Sequence, residues 1–514
     1  MSEVSPNYAR TIGVLLHPTA LPLSPVIGGF GQPCREWIKA LARNGIGVWQ
    51  FLPLAPCDGT GSPYSSPSSF AFNSFFLDAK DLAKEGFISS TSIDSLPGAN
   101  EISDDSVDFR LAERRSESLG RLLRESWSKQ DSIRHHQFKV WCDQQFWLED
   151  HVCFMELRRQ YRGLPWWQWP KAFAFRNPIS LYFWKRSNHK SLLEHRLIQW
   201  HLDRQWNVLK KLASDLGVLL FGDLPFYVSR DSADVWSKRS LFSILPGGEL
   251  EEQSGVPPDY FSATGQLWGT PVYRWDYHRY TRFRWWRRRF TRHLQQVDLL
   301  RLDHFRALDS YWSVDGSKET AQDGVWKPSP GSDLLRLLQN DYGGQLPLVA
   351  EDLGVITSEV ERLRDQFSLP GMKILQFGFD GNVNNPYLPE NMHGDRWVIY
   401  TGTHDNPTTL SWWNSLEPDK REKISRISNC SNEAPGWKLI EIGLKTEARL
   451  FVAPLQDLLC LDDTARFNKP GTIKDNWNWR LNSFDSVLFG ALQHYGKRGS
   501  HCGRSLEGAS NLFH

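Results

Sequence analysis

The chain has 514 residues, 40% of them hydrophobic, which is too long for one core of ordinary size and implies a large barrel or sheet with insertions, or several domains. Its 60 Lys and Arg balance 59 Asp and Glu, and the resulting net charge of +1 excludes an overall pull toward nucleic acid or an anionic membrane and favours neutral partners. Seven cysteines without a C-x-x-C motif argue against a disulfide framework or thiolate zinc site, and the lack of a leader pattern or long apolar span predicts a soluble, cytoplasmic protein with reduced thiols.

Short apolar, β-branched runs recur along the chain, each followed by Gly, Pro or polar residues. They lie at 12–21 (IGVLLHPTAL), 47–54, 217–225, 297–305, 347–354, 372–379, 397–405 and 449–459. Runs of this kind fit parallel strands covered on both faces, and eight of them fit a closed (β/α)8 barrel. Residues from about 80 to 200 are too many for one connection and show helical periodicity, as in WLEDHVCFMELRRQY, so an inserted, largely helical subdomain is predicted. The stretch 228–272 contains GVPPDYFSATGQLWG, whose Pro, Gly and Ser content predicts a rim loop.

Further on, Phe283, Trp286, Phe290 and Leu294 step by three or four, which predicts a crossover helix with its arginines on a solvated face. The Gly- and Ser-rich residues 496–514 predict a flexible tail, leaving 11–495 as a single catalytic barrel domain with its insertions. The 24 Trp, clustered in places such as PWWQWP (165–170), suit either stacking on sugar rings or core packing, and for any single Trp core packing is the better reading.

The ends of these strands carry the chemistry. Asp223 ends the third run, Asp303 the fourth, Glu351 with Asp352 the fifth, and His404 with Asp405 the seventh; in a barrel these ends converge on one face. Positions two apart share a face of a strand, so Arg301 lies beside Asp303 and keeps it ionised, as a nucleophile requires. Neighbouring strands put Asp303 and Glu351 at a spacing compatible with the about 5 to 5.5 Å of retaining glycosidases, whereas a wider separation would imply inversion. A partly dry pocket raises the pKa of Glu351, which suits a general acid. Taken singly, a strand-end Asp is more often a helix cap, and His17 or His404 a hydrogen-bonded structural residue. A cluster of carboxylates and histidines at a barrel mouth also suits a divalent metal.

Longer motifs narrow these readings. LLHPTALP (15–22), SPYSSPSSFAFN (62–73), FGDLPFYVSRDSADVW (221–236), GVPPDYFSATGQLWGTPVYRW (255–275), RLDHFRALDSYW (301–312), VAEDLG (349–354), YTGTHDN (400–406) and RFNKPGT with NWNWR (466–480) closely resemble the 4-α-glucanotransferases of the amylomaltase or disproportionating-enzyme type, glycoside hydrolase family 77. The resemblance covers about residues 11 to 495. It implies a (β/α)8 barrel and retaining transfer on α-1,4-glucans, with maltooligosaccharides as donors and glucose or glucan as acceptor. It also implies no metal or other cofactor, whereas no nucleic acid and no membrane are expected from the neutral charge and the lack of long apolar spans, and oligomeric state is left open.

Carried over by position, Asp303 resembles the nucleophile, Glu351 the general acid/base and Asp405 the third carboxylate, which grips the sugar at the cleavage point. Ser62, Tyr64, Asp223, Tyr260, Trp268, Arg301, His304, His404 and Asn406 are implied as substrate contacts. The chain departs from the family pattern at Val26, Gly29, Thr270, Ser329 and Pro407, of which Thr270 and Pro407 stand next to site motifs. The competing expectations are a mainly hydrolytic glucanase, a silent glucan-binding protein and a metal-dependent barrel enzyme.

Overall fold

The computed structural model describes residues 10–99, 106–258, 263–354, 356–430 and 432–511. All eight apolar runs contain parallel strands: β1 (Thr11–Leu15), β2 (Val48–Gln50), β3 (Leu219–Leu224), β6 (Leu299–Leu302), β9 (Leu348–Ala350), β10 (Gly371–Ile374), β11 (Trp397–Tyr400) and β12 (Leu450–Pro454). Their order is β10-β11-β12-β1-β2-β3-β6-β9, and the Ala350 amide donates to the Pro370 carbonyl at 2.8 Å, joining the two ends into a (β/α)8 barrel. Each strand is nearly all buried because both faces are covered, which is why the sequence shows continuous apolar runs instead of alternation.

Helices fill the long connection between β2 and β3, among them Phe109–Trp127, Ser132–Gln144, Leu148–Gln160 and the 27-residue helix His189–Asp215 that returns the chain to the barrel. Trp206 on that last helix is buried against Phe30, Phe51 and Phe72, and its indole N–H donates to the Gln296 carbonyl at 2.8 Å. Trp166 and Trp169 of PWWQWP are buried too, with their N–H groups on the carbonyls of Arg230 and Leu164, so these two serve the core.

Three local expectations are corrected. The stretch 228–272 is more than a loop: β4 (Glu252–Val256) and β5 (Gln266–Pro271) pair with β7 (Ser310–Asp315) and β8 (Val325–Pro328) in a four-stranded antiparallel sheet of order β5-β4-β7-β8. The β7 partner of β4 lies about 60 residues downstream, where a local reading of Pro and Gly content cannot see it. The helix Arg284–Gln296 forms with Phe283 as its N-cap, but Arg289 and Arg292 are buried, not solvated. Arg289 donates to the carbonyls of Pro225 and Phe226, and Arg292 to that of Phe70 while it pairs with Asp203.

The third correction concerns the tail. Residues Ser486–His501 form a helix, and the following Arg504 is buried, its guanidinium donating to the carbonyls of Thr11, Leu444, Thr446 and Ala448. Among the described residues no helix is long and apolar enough to cross a membrane.

Candidate active site

The parallel registers deliver the working groups to one end of the barrel. Asp223 on β3 stands opposite Arg301 on β6, and Leu302 on β6 opposite Ala350 on β9. The ladder runs one step further: the Asp303 amide donates to the Leu224 carbonyl, the Glu351 amide to that of Leu302, and the Phe305 amide to that of Glu351. Asp303 and Glu351 thus occupy matching positions on neighbouring strands, which lie about 4.8 Å apart.

Arg301 is the electrostatic centre. One terminal nitrogen meets Asp223 Oδ2 at 2.7 Å and the other meets Asp303 Oδ1 at 2.8 Å, the guanidinium itself being buried. Tyr64 donates its hydroxyl to the same Asp223 oxygen at 2.7 Å. Burial raises the Asp223 pKa against the pull of Arg301, with the nearby Asp303 charge adding to the rise. The guanidinium stays charged because the two carboxylates outweigh its own burial.

Glu351 is held by backbone. The His304 amide donates to Oε2 at 2.7 Å and the Leu353 amide to Oε1 at 3.1 Å. His304 can point its amide this way because it adopts the left-handed conformation, φ 53°, which a non-glycine residue enters only at a cost that the surrounding site must offset. Burial pushes the Glu351 carboxyl up to about 7; Arg301 pulls it down and Asp303 pushes it further up. His304 itself is lowered to about 4 by burial, so its ring is neutral.

Across the mouth, past the end of β11, His404 Nε2 lies 3.4 Å from Asp405 Oδ1, and the His404 ring stacks on Tyr64 with centroids 5.2 Å apart. Asn468 donates to Asp405 Oδ1 at 2.6 Å, and Arg466 donates to the Asp405 carbonyl, also at 2.6 Å. His17, at the end of β1, is lowered to about 3 by burial and by His404. Trp268 on β5 meets the His304 ring edge-on at 4.8 Å, with Tyr227 beside both.

Most of the expected residues therefore converge. Asp223, Arg301, Asp303, His304 and Glu351 form one connected group, with Tyr64, His404 and Asp405 facing it. Asn406 turns inward to the backbone, accepting from the Thr403 amide and hydroxyl, and the Ser62 amide bonds Asp58. Tyr260 lies outside the described residues. Reading the residues alone missed Asn468 and Arg466, because they sit in a loop after the last strand with no periodicity to mark them; Tyr227, three residues past the end of β3, was equally unmarked. Among the described residues no group of three or more His, Cys, Asp or Glu is arranged as a metal site.

The geometry has counterparts among known proteins. A family model described as 4-alpha-glucanotransferase matches residues 16–485. The 4-alpha-glucanotransferase of Synechocystis sp. is 41% identical over 475 residues, covering 92% of this chain and 94% of the relative, and that of Thermus thermophilus is 40% identical over 92% and 95%. An amylomaltase from Streptococcus agalactiae, solved in complex with acarbose, superposes with a TM-score of 0.91 at 30% identity, covering 96% of this chain and all of that one. With its barrel, its strand-end carboxylates and relatives matched over nearly their whole length, the chain belongs to the 4-alpha-glucanotransferase family.

Proposed function

We propose that this enzyme transfers segments of α-1,4-glucans, such as maltooligosaccharides, to the 4-hydroxyl of glucose or a glucan by a retaining double displacement. The observation that carries the mechanism is the pairing of an Arg301-held Asp303 with a neighbouring Glu351 whose carboxyl sits near 7. A general acid must carry a proton near neutral pH, which the raised Glu351 carboxyl supports, while Arg301 supplies the ion-pair partner that orients Asp303 for attack.

In the first step an Asp303 oxygen attacks the anomeric carbon while the bond to the glycosidic oxygen breaks, and Glu351 gives its proton to that leaving oxygen. The product is a β-glucosyl ester on Asp303. Esterification removes the Asp303 charge that had pushed the Glu351 pKa up, so Glu351 becomes a stronger acid and stays ionised. It is then the base the second step requires: it takes the proton of the acceptor hydroxyl as that oxygen displaces Asp303 and restores an α bond. Atoms and electrons balance with no further group.

Asp405, fixed by Asn468, is assigned the grip on the ring at the cleavage point, and Tyr64, Asp223, Arg301 and His404 the donor side. Trp268 and His304 form the acceptor wall. Acarbose, a glucan analogue, is what the S. agalactiae relative holds, which supports the same ligand class here. Product analysis with maltotriose tests the reading. The wild type yields glucose together with longer chains, and Asp303→Asn loses about 10⁴-fold or more of that rate. Shorter products only, or undiminished transfer by the variant, refute it.

A further inference from the structure

Strand β5 does not pair evenly with β4. Gln253 faces Pro271 and Gly255 faces Leu267, so Ser254 alone stands opposite Trp268, Gly269 and Thr270. Such bulges bend a strand and re-aim the side chains they carry, and they concentrate beside active sites. Here the residue at the bulge that points toward the catalytic group is Trp268.

Two features fix the bulge. Gly269 has φ 65° with open space around it, so backbone conformation, not crowding, selects glycine there. Across the bulge, the hydroxyls of Ser254 and Thr270 hydrogen-bond to each other, and Ser254 is fully buried. β5 is an edge strand, and Gln266, Trp268 and Gly269 are exposed, so packing restrains this segment little. A cross-strand bond that closes the bulge therefore has unusual leverage over where Trp268 points.

What Trp268 is aimed at matters for the reaction. Its ring meets His304 with an interplanar angle of 88°, and His304 is the residue whose amide holds Glu351. Among the described residues, His304 Nε2 and the Tyr227 hydroxyl are buried in this wall without a hydrogen-bond partner. The exposed Trp268 face beside the residue that holds Glu351 is the chemistry that stacks on a sugar ring: a flat apolar surface next to the reacting groups.

We propose that the Ser254–Thr270 hydroxyl pair is a positioning latch that sets the aim of Trp268 and, through it, how well an acceptor sugar outcompetes water for the glucosyl-enzyme. In this reading both residues act through the position of Trp268, and Ser254 is itself fully buried. The proposal rests on the reading of Trp268 as acceptor wall.

The test uses the enzyme and steady-state transfer from maltotriose to isotopically labelled glucose, read as label entering maltooligosaccharides, with release to water followed in parallel. Thr270→Val keeps the shape of the side chain and removes the hydroxyl; its acceptor KM rises about fivefold, as expected for loss of one neutral hydrogen bond, and the transfer-to-hydrolysis ratio falls by a similar factor. Its kcat at saturating acceptor stays within about twofold, because the latch acts on binding. Thr270→Ser restores the hydroxyl and the wild-type ratio, and Ser254→Ala, which removes the other half of the latch, repeats the Thr270→Val effect should that variant fold poorly. In a Trp268→Ala background, Thr270→Val has no further effect.

An unchanged ratio in both Thr270→Val and Ser254→Ala overturns the latch while leaving the acceptor wall standing. A full Thr270→Val effect in the Trp268→Ala background also overturns it, since the latch would then act elsewhere. If Trp268→Ala leaves the acceptor KM unchanged, the acceptor-wall reading falls and takes the latch with it.

Discussion

Arg301 offers its two terminal nitrogens to different carboxylates, Asp223 and Asp303, so its charge and its shape do separate jobs that two substitutions can separate. Lysine keeps the charge but has a single ammonium that cannot hold both partners, whereas methionine removes both functions. Arg301 lowers the Glu351 pKa, so taking the charge away lets that pKa rise above about 7. The first step needs protonated Glu351, and the rate therefore falls as pH rises through its pKa. For Arg301→Met the alkaline limb of kcat/KM moves to higher pH. For Arg301→Lys it stays near 7 while the plateau drops about 100-fold, the cost of a misplaced nucleophile. pH–rate profiles of the two variants check this, and a limb moving to lower pH in Arg301→Met would contradict the assigned sign. Much of this cluster was legible because strand alternation places Arg301 beside Asp303. Its link to Asp223 was not, since that depends on the inter-strand register.

At the scale of elements, the residues that misled the sequence reading at the C-terminus are those that pack it. Gly496 and Gly499 lie in the helix Ser486–His501, and together with the serines around them they read as flexibility. In the structure they are points of close approach: a Cβ on Gly496 would stand 1.8 Å from the Asn44 carbonyl oxygen, and one on Gly499 would stand 2.8 Å from Ile12 of β1. Glycine to alanine within a solvent-facing helix normally stabilises by about 1 kcal/mol. Here Gly496→Ala forces a backbone shift and destabilises by about 2 to 3 kcal/mol, so even the sign of the change separates a packed helix from a loose tail. Denaturant midpoints decide between them. The same blindness to distant partners hid β4, β5, β7 and β8, whose pairings span β4 near residue 254 and β7 near 313. The barrel strands were visible because burial on both faces writes itself into a continuous apolar run, whatever the partner.

A chain of 514 residues ordinarily divides into several cores that unfold separately. In this molecule one buried cluster runs from Ile12 of β1 to Tyr495 of the last helix and takes in Trp166 and Trp200 of the insertion together with Phe221 of β3. The insertion cannot detach without cost to the barrel: its returning helix plants Trp206 among Phe30, Phe51 and Phe72, and Arg292 beside β6 pairs with Asp203 of that helix. Opening the insertion alone would expose these aromatics and strip the barrel of one of its covering layers, a loss of several kcal/mol at about 25 cal/mol per Å² of apolar surface. The barrel and the insertion are therefore expected to unfold together. Far-UV circular dichroism, to which the insertion's helices contribute a large share of the helical signal, and loss of glucanotransferase activity, which needs the barrel mouth, should give coincident denaturant transitions. A helical transition well before loss of activity would show that the insertion is an independent unit and that the shared core is weaker than its extent implies.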